Sequence, residues 1–195
     1  PTLLPSSAAS DVYKWPGLAA ASGPEKLADC GELGADFLID YAQQDLRAEL
    51  KRITAGRGVD LVFDPVGGAH ALLALRSMAE NGRYLVIGFA SGEIPSLPFN
   101  LPLLKSCQVV GVDWGGFAGR HPQRADGIVR EVLALSATGL IREPPITRYA
   151  LERTGEAIGE LAARRAIGEC VIGVGYASGP VQELIYGTGA GTIRR

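Results

Sequence analysis

Gly58-Val59-Asp60-Leu61-Val62-Phe63-Asp64-Pro65-Val66-Gly67-Gly68, followed after a helical segment by Gly82-Arg83-Tyr84-Leu85-Val86-Ile87-Gly88-Phe89-Ala90-Ser91-Gly92, is the stretch whose reading decides the fold. Its two apolar runs, Val59–Phe63 and Tyr84–Ile87, are each closed by a glycine or proline turn. Between them, His70 to Ala79 places apolar residues at helical spacing. An apolar run without alternation predicts a strand buried on both faces, which usually belongs to a parallel sheet. Strand, crossover helix and parallel strand make one βαβ unit, and open sheets of this kind bind ligands just past the carboxyl ends of their strands. Those ends, Asp64–Gly68 and Gly88–Gly92, form the expected cofactor shelf.

Outward from this unit the same alternation continues. Leu18 to Ala21 predicts a short strand, closed by Ser22-Gly23-Pro24. Glu25 to Leu33 reads as a helix, with Pro24 tolerated in its first turn and Gly34 placed to cap its end. Phe37-Leu38-Ile39 predicts a buried strand, and Leu46, Leu50 and Ile53 give Asp45–Thr54 an amphipathic face toward the sheet. Downstream, Glu93 to Pro102 is a proline-interrupted loop, and Leu103–Ser106 leads into a strand over Cys107–Val112. Pro122 to Ala137 is a helix with Ile128, Val129, Val132, Leu133 and Leu135 inward. A strand at Ile146–Tyr149, a helix over Leu151–Arg165 and a strand at Cys170–Ile172 follow. The repeated order predicts an α/β fold with a parallel sheet. Residues 1–17 carry no legible element, and the Gly-rich segment after Gly173 has weak periodicity.

The 195 residues suffice for one domain with a substantial core and an added fragment. A net charge of −2 without a basic block makes nucleic acid a poor partner. No apolar run approaches the roughly 18 residues of a membrane span. The first residues lack the charged and apolar regions of a signal peptide. Cys30, Cys107 and Cys170 are widely spaced, as expected of reduced, mostly buried thiols in a cytoplasmic protein.

The chemistry-bearing residues are few. In dinucleotide folds a carboxylate at the end of the second strand favours NAD, whereas a cation accommodates the 2′-phosphate of NADP. Here the strand end offers Ala21 and Ser22, with Lys26 one helical turn on, and a phosphate could be held by hydroxyl, point charge and helix dipole. The same residues also fit a plain helix cap and a solvated lysine. The glycines of Asp64–Gly68 would let a ligand approach the backbone, although any sharp strand–helix junction favours glycine. Gly187-Thr188-Gly189-Ala190-Gly191 follows no good strand and opens no helix, so it lacks the context of a nucleotide loop. His70 and His121, the only histidines, have no ligands at metal spacing.

Taken together, Leu33-Gly34-Ala35-Asp36 through Tyr41, Gly56–Gly68, Gly82–Pro95 and Lys105–Gly115 resemble the cofactor half of the medium-chain dehydrogenases/reductases. The closest branch is the zinc-free NADPH:quinone oxidoreductases related to zeta-crystallin, and the resemblance runs from about Ala19 to Ile172. It implies a Rossmann-like doubly wound parallel sheet and NADPH as cofactor. Ser22, Lys26 and Tyr41 resemble the residues that hold the 2′-phosphate, and Pro65 and Val66 the turn beside adenosine and ribose. Gly88, Phe89, Ala90 and Ser91, with Val112, Asp113 and Trp114, resemble segments on the nicotinamide side. The family also pairs through the strand matching residues 107–112, which implies a homodimer.

The chain departs from the family where it matters. The N-terminal substrate domain is not recognisable, nor is the first strand with its Gly-rich pyrophosphate turn. Since the first strand is central in a sheet ordered 3-2-1-4-5-6, its loss is expected to split the sheet. Thr2-Leu3-Leu4 is one stand-in, with Pro5–Gly17 as a minimal crossover. The expected organisation is residues 1–17 unassigned, 18–140 a cofactor domain, 141–174 a segment returning to the substrate domain with its apolar face orphaned, and 175–195 a tail. The resemblance implies hydride transfer from NADPH to a quinone or an activated C=C or enone, with no catalytic side chain required of this chain. An inactive Rossmann-like remnant that binds or dimerises, and an enoyl-reductase domain of a larger synthase, are the alternatives.

Overall fold

The computed structural model describes residues 16–141, 144–163 and 165–174. The chain divides into two units, Pro1–Arg142 and Glu143–Arg195. Readings placed on residues 1–15 and 175–195, including Thr2-Leu3-Leu4 and the Gly187–Gly191 run, lie outside the described residues.

In the first unit, β1 (Leu18–Ala21) turns through Gly23, at φ 92°, into α1 (Pro24–Glu32). Pro24 costs that helix nothing, because a first-turn amide has no intrahelical acceptor. Gly34, at φ 102°, then ends it in the left-handed conformation that glycine adopts without strain. β2 (Phe37–Asp40) runs parallel to β1, with Leu18 opposite Phe37 and Ala21 opposite Asp40. Asp45 caps α2 (Leu46–Ile53) by accepting from Ala48 N at 2.9 Å, and Leu46 and Leu50 are buried one turn apart. β3 (Val59–Asp64), α3 (Ala69–Arg76) and β4 (Met78–Val86) form the anticipated βαβ unit, with β3 and β4 parallel. After α4 (Asn100–Lys105), β5 (Gln108–Gly111) adds in parallel to the far side of β4. α5 (Trp114–Arg120) and α6 (Pro122–Ala137) follow.

The second unit is a small βαβ by itself. β6 (Ile146–Ala150) passes through a 3-10 turn at Leu151–Arg153 into α7 (Thr154–Ala162), and β7 (Glu169–Gly173) pairs in parallel with β6. Within it Leu151, Ile158 and Leu161 are all exposed.

Every ladder among the described strands is parallel, and the fold is α/β of the Rossmann-like kind. The strands of the first unit nonetheless form two sheets, β1-β2 and β3-β4-β5, so the expected split is present. β1 and β3 are the inner edges, and between them lies a cleft of about 1100 Å³. One buried cluster still joins the halves: Ile39 from β2, Leu46 and Leu50 from α2, Ala71 and Leu75 from α3, and Tyr84 from β4. Burying these side chains contributes on the order of 1.5–3 kcal/mol for each large apolar residue.

Several sequence expectations are corrected here. β3 is not buried on both faces: Leu61 is 50% and Phe63 65% exposed, because only one of its edges has a neighbouring strand among the described residues. In β2 only Ile39 is buried, while Phe37 and Leu38 are exposed. The helix after β3 stops at Arg76, and Met78 and Ala79 already belong to β4, whose register against β3 shifts between Val59 and Leu61. Asn81, at φ 61°, and Gly82 therefore form a bulge inside a strand. The α6 residues expected inward are exposed, and only Ala125 of that helix is buried. All three cysteines are free and half-buried.

Two contacts fix the β3–β4 unit. A Cβ on Gly58, which has φ 92°, would lie 2.7 Å from Ser77 O and from Ala79 N, so the backbones meet at a distance only glycine permits. At the other end of β3, the Asp64 carboxylate accepts from Val66 N and Gly67 N, each at 2.9 Å, and from the hydroxyl of the buried Tyr84. Burial first, and then the hydrogen bond to Asp64, push the Tyr84 hydroxyl above its ordinary pKa of 10.0.

Two outcomes are expected. Gly58→Ala should destabilise the chain by about 3 kcal/mol or more, since clash with backbone adds to left-handed strain. Gly56→Ala, at φ 82° in open space, should cost only about 1 kcal/mol; urea denaturation of both variants checks the contrast. Because the native pKa of Tyr84 is raised, its stabilisation is complete below the unfolded value and lost as pH climbs past it. Unfolding free energy should hold to about pH 9 and fall above about pH 10. Tyr84→Phe should lose about 1.5 kcal/mol at neutral pH and soften that alkaline fall, as read from denaturation at a series of pH values.

Candidate cofactor site

The carboxyl ends of the strands bring most of the anticipated residues to one side of each sheet. Asp64 organises the first part. Its three accepted hydrogen bonds hold Pro65-Val66-Gly67-Gly68 as a tight turn, in the manner of an aspartate that bonds its own following amides. The loop after β4 then folds onto this turn: Gly88 N donates to Asp64 O at 3.3 Å, Ala90 N to Pro65 O at 3.0 Å and Ser91 N to Val66 O at 2.9 Å. In return, Gly68 N donates to Glu93 O at 3.1 Å. Pro65, Val66, Gly88, Phe89, Ala90 and Ser91 thus form one continuous shelf.

The glycines of that shelf have a structural duty. A Cβ on Gly67 would come within 2.8 Å of the Phe89 ring, and one on Gly68 within 3.0 Å of Ser91 Oγ. Both adopt positive φ, at 68° and 65°. Their freedom serves loop-on-loop packing, so it is not by itself a ligand signal.

The second part lies at the ends of β1 and β2. Ser22 follows β1 directly, and Lys26 stands in the first turn of α1. The helix has no side-chain cap, since Gly23 occupies the N-cap, so the capping role that sequence allowed for Ser22 is not used. Tyr41 N donates to Ala21 O at 3.2 Å, which places Tyr41 beside Ser22 at adjacent strand ends. Asp40 also reaches in: its Oδ1 accepts from Gly23 N at 3.4 Å and from Ala42 N at 3.0 Å. This carboxylate is the last residue of β2 and belongs to the same row of strand ends.

The two parts meet at Tyr41 and His70, whose ring centroids are 4.3 Å apart. His70 Nδ1 is buried with no hydrogen-bond partner among the described residues, and both rings line the cleft between β1 and β3. A buried polar atom without a partner is costly, so it marks a place where a bound polar group would be welcome. Nothing in sequence spacing signals a contact between residues 41 and 70.

Trp114 stands apart from this grouping. It opens α5 after β5, where Asp113 caps the helix by accepting from Gly116 N at 2.8 Å. Its ring stacks on Phe117 at 5.7 Å and remains 47% exposed. Val112 N donates to Val86 O at 2.9 Å, which sets the end of β5 beside the end of β4.

Among the described residues no group of three His, Cys, Asp or Glu side chains could hold a metal ion. Nor is any helix among them long and apolar enough to cross a membrane.

Known proteins share this fold. The model of the family described as zinc-binding dehydrogenase matches residues 18–132. The quinone oxidoreductase-like protein 2 homolog of Nematostella vectensis is 35% identical over 153 residues, which cover 78% of this chain and 42% of that relative. The quinone oxidoreductase of Pseudomonas syringae pv. tomato DC3000 superposes with a TM-score of 0.72 at 29% identity, covering 80% of this chain and 48% of that one. The Escherichia coli quinone oxidoreductase complexed with NADPH has the same fold, with a TM-score of 0.73 at 22% identity over 84% of this chain and 51% of that one. The chain spans less than half the length of its curated relative. It belongs to the zinc-binding dehydrogenase family of medium-chain dehydrogenases/reductases, as its C-terminal, cofactor-binding portion.

Proposed function

We propose that the chain is the cofactor-holding part of an NADPH-dependent oxidoreductase that reduces a quinone or an activated C=C or enone. The observation that carries this reading is the row of strand ends, in which Ser22, Lys26 and Tyr41 sit at β1–β2 and Pro65, Val66 and Gly88–Ser91 at β3–β4. The Nδ1 of His70, buried between these two groups without a partner among the described residues, fits a polar ligand there.

Bound NADPH would supply the hydride, and the chain's own residues would orient and shield it. Lys26, near the N-terminus of α1, would place positive charge against the 2′-phosphate, where helix dipole and exposed amides also favour an anion. Ser22 would donate a hydroxyl hydrogen bond to the same group, and the Tyr41 ring, braced by His70, would flank the adenosine. The shelf of Pro65, Val66 and Gly88–Ser91 would face the ribose and nicotinamide and exclude water from one side, while Trp114 would limit solvent access past β5. The strand end that usually carries an NAD-selecting carboxylate holds Ser22 here, which leaves Lys26 to favour the 2′-phosphate. No side chain of the described residues is assigned a proton-transfer role.

We also propose that two copies pair along the outer edge of β5, which has no partner strand among the described residues and beside which Val109 is 41% and Val112 40% exposed.

Titration calorimetry with both cofactors tests the site. NADPH should bind more tightly than NADH, and Lys26→Ala should erase about tenfold of that preference. Equal affinities for the two cofactors, or a preference unaltered by Lys26→Ala, would remove the reading. Turnover of NADPH with a quinone separates an active enzyme from a module that only binds. Sedimentation velocity tests the pairing: the chain should run as a dimer and Val109→Arg as a monomer.

A further inference from the structure

Among the described residues, one buried side-chain polar atom has no hydrogen-bond partner: Nδ1 of His70. His70 stands in the first turn of α3, and its ring lies 4.3 Å from that of Tyr41 at an angle of 39°. The polar groups around this pair are committed elsewhere. Asp64 accepts from Val66 N, Gly67 N and the Tyr84 hydroxyl. Asp40 accepts from Gly23 N and Ala42 N, and Gly68 N donates to Glu93 O. None of these bonds involves His70. A buried nitrogen left unpaired costs stability, and a plain apolar ring would stack on Tyr41 equally well. The use of that nitrogen therefore lies with a group from outside the described chain.

Position limits what that group is. Tyr41 links His70 to the end of β1, because Tyr41 N donates to Ala21 O at 3.2 Å while its ring stacks on His70. Ser22 and Lys26, proposed above to hold the 2′-phosphate, stand at that same end of β1. In a ligand so held, the ribose carbon next to the phosphate carries the 3′-hydroxyl. A hydroxyl both donates and accepts, so it pairs with Nδ1 in either imidazole tautomer, whereas an ionised phosphate oxygen only accepts.

We infer that His70 is a ribose anchor: its Nδ1 hydrogen-bonds the 3′-hydroxyl of the cofactor's adenosine ribose, on the far side of Tyr41 from Ser22 and Lys26. The inference rests on the dinucleotide reading and adds to it a residue that does not choose between NADPH and NADH. Both cofactors carry the same 3′-hydroxyl, so His70 raises affinity for the two alike, and discrimination stays with Lys26. The ligand-free chain bears the consequence. Its unpaired nitrogen is a stability cost that binding removes, so affinity and free stability oppose each other at this one position.

The test compares His70→Leu with His70→Asn in the full chain. The two side chains have nearly the same shape, and only asparagine keeps a polar atom near the place of Nδ1. Without ligand, His70→Leu should melt at the higher temperature of the two. It should nonetheless bind NADPH and NADH each about tenfold more weakly in calorimetry, with the preference between them unchanged. His70→Asn should stay within about threefold of the native chain. A second measurement needs no substitution at the site. The chain holds two histidines, so the imidazole nitrogen resonances of the native protein, assigned with a His121→Gln variant, report His70 directly. Its Nδ1 should shift on saturation with adenosine 2′,5′-bisphosphate, and shift less with the 3′-deoxy analogue. Dinucleotide binding equally strong in the leucine and asparagine variants would overturn the inference and leave the cofactor reading standing. So would an Nδ1 already hydrogen-bonded before any ligand is added. A native chain that binds neither dinucleotide would remove both.

Discussion

The Asp64 carboxylate holds together what the rest of the first unit builds on. It receives the Tyr84 hydroxyl from β4 and two amides from the turn that follows its own strand. With those three donors satisfied, the turn is fixed relative to both strands, and the loop after β4 can close on it through Pro65 O and Val66 O. A carboxylate half inside a protein is tolerable only when its lone pairs are used, and here two backbone amides and the Tyr84 hydroxyl use them. The shelf is therefore rigid for reasons unrelated to any ligand. Preorganisation of this kind is what a cofactor platform needs, because geometry then costs nothing at the moment of binding.

The alternation of strands and helices was legible because it depends on local pattern. Leu46 and Leu50 at helical spacing, Asp45 before them, and Pro24 with Gly34 around α1 are each decided within a few residues, and each element formed where that pattern put it. Burial was less legible, because it depends on what lies beyond. Leu61 and Phe63 read as core, yet they border a cleft; Ile128 and Leu133 read as an inward stripe, yet no described strand covers them. The same holds for Asn81-Gly82, which punctuates most sequences as a turn but here sits within β4, where Asn81 N donates to Ser106 O at 2.9 Å.

The site divides in the same way. Ser22, Lys26, Pro65 and Ser91 follow strands, so their position near the ligand side comes with the fold class. Contacts across large sequence separations were out of reach: the pairing of Tyr41 with His70, the use of Asp64 by Tyr84, and the intrusion of Asp40 beside Gly23. The shelf glycines also have neighbours that sequence did not name: Gly67 packs against Phe89 and Gly68 against Ser91.

The edges of β1 and β3, which have no strand partner across the cleft among the described residues, present backbone, and backbone is common to every residue type. Ala19, Ala20 and Ala21 could drift to valine, threonine or serine and still offer the same donors and acceptors in the same places. Selection acting on single side chains has little grip on such a surface, so it can outlast wide sequence divergence. The positions that cannot drift are those that set the spacing between the edges, Gly58 against Ser77 and the cluster of Ile39, Leu50 and Leu75. Descendants of this chain would thus keep the shape of the cleft while losing nearly every residue that lines it.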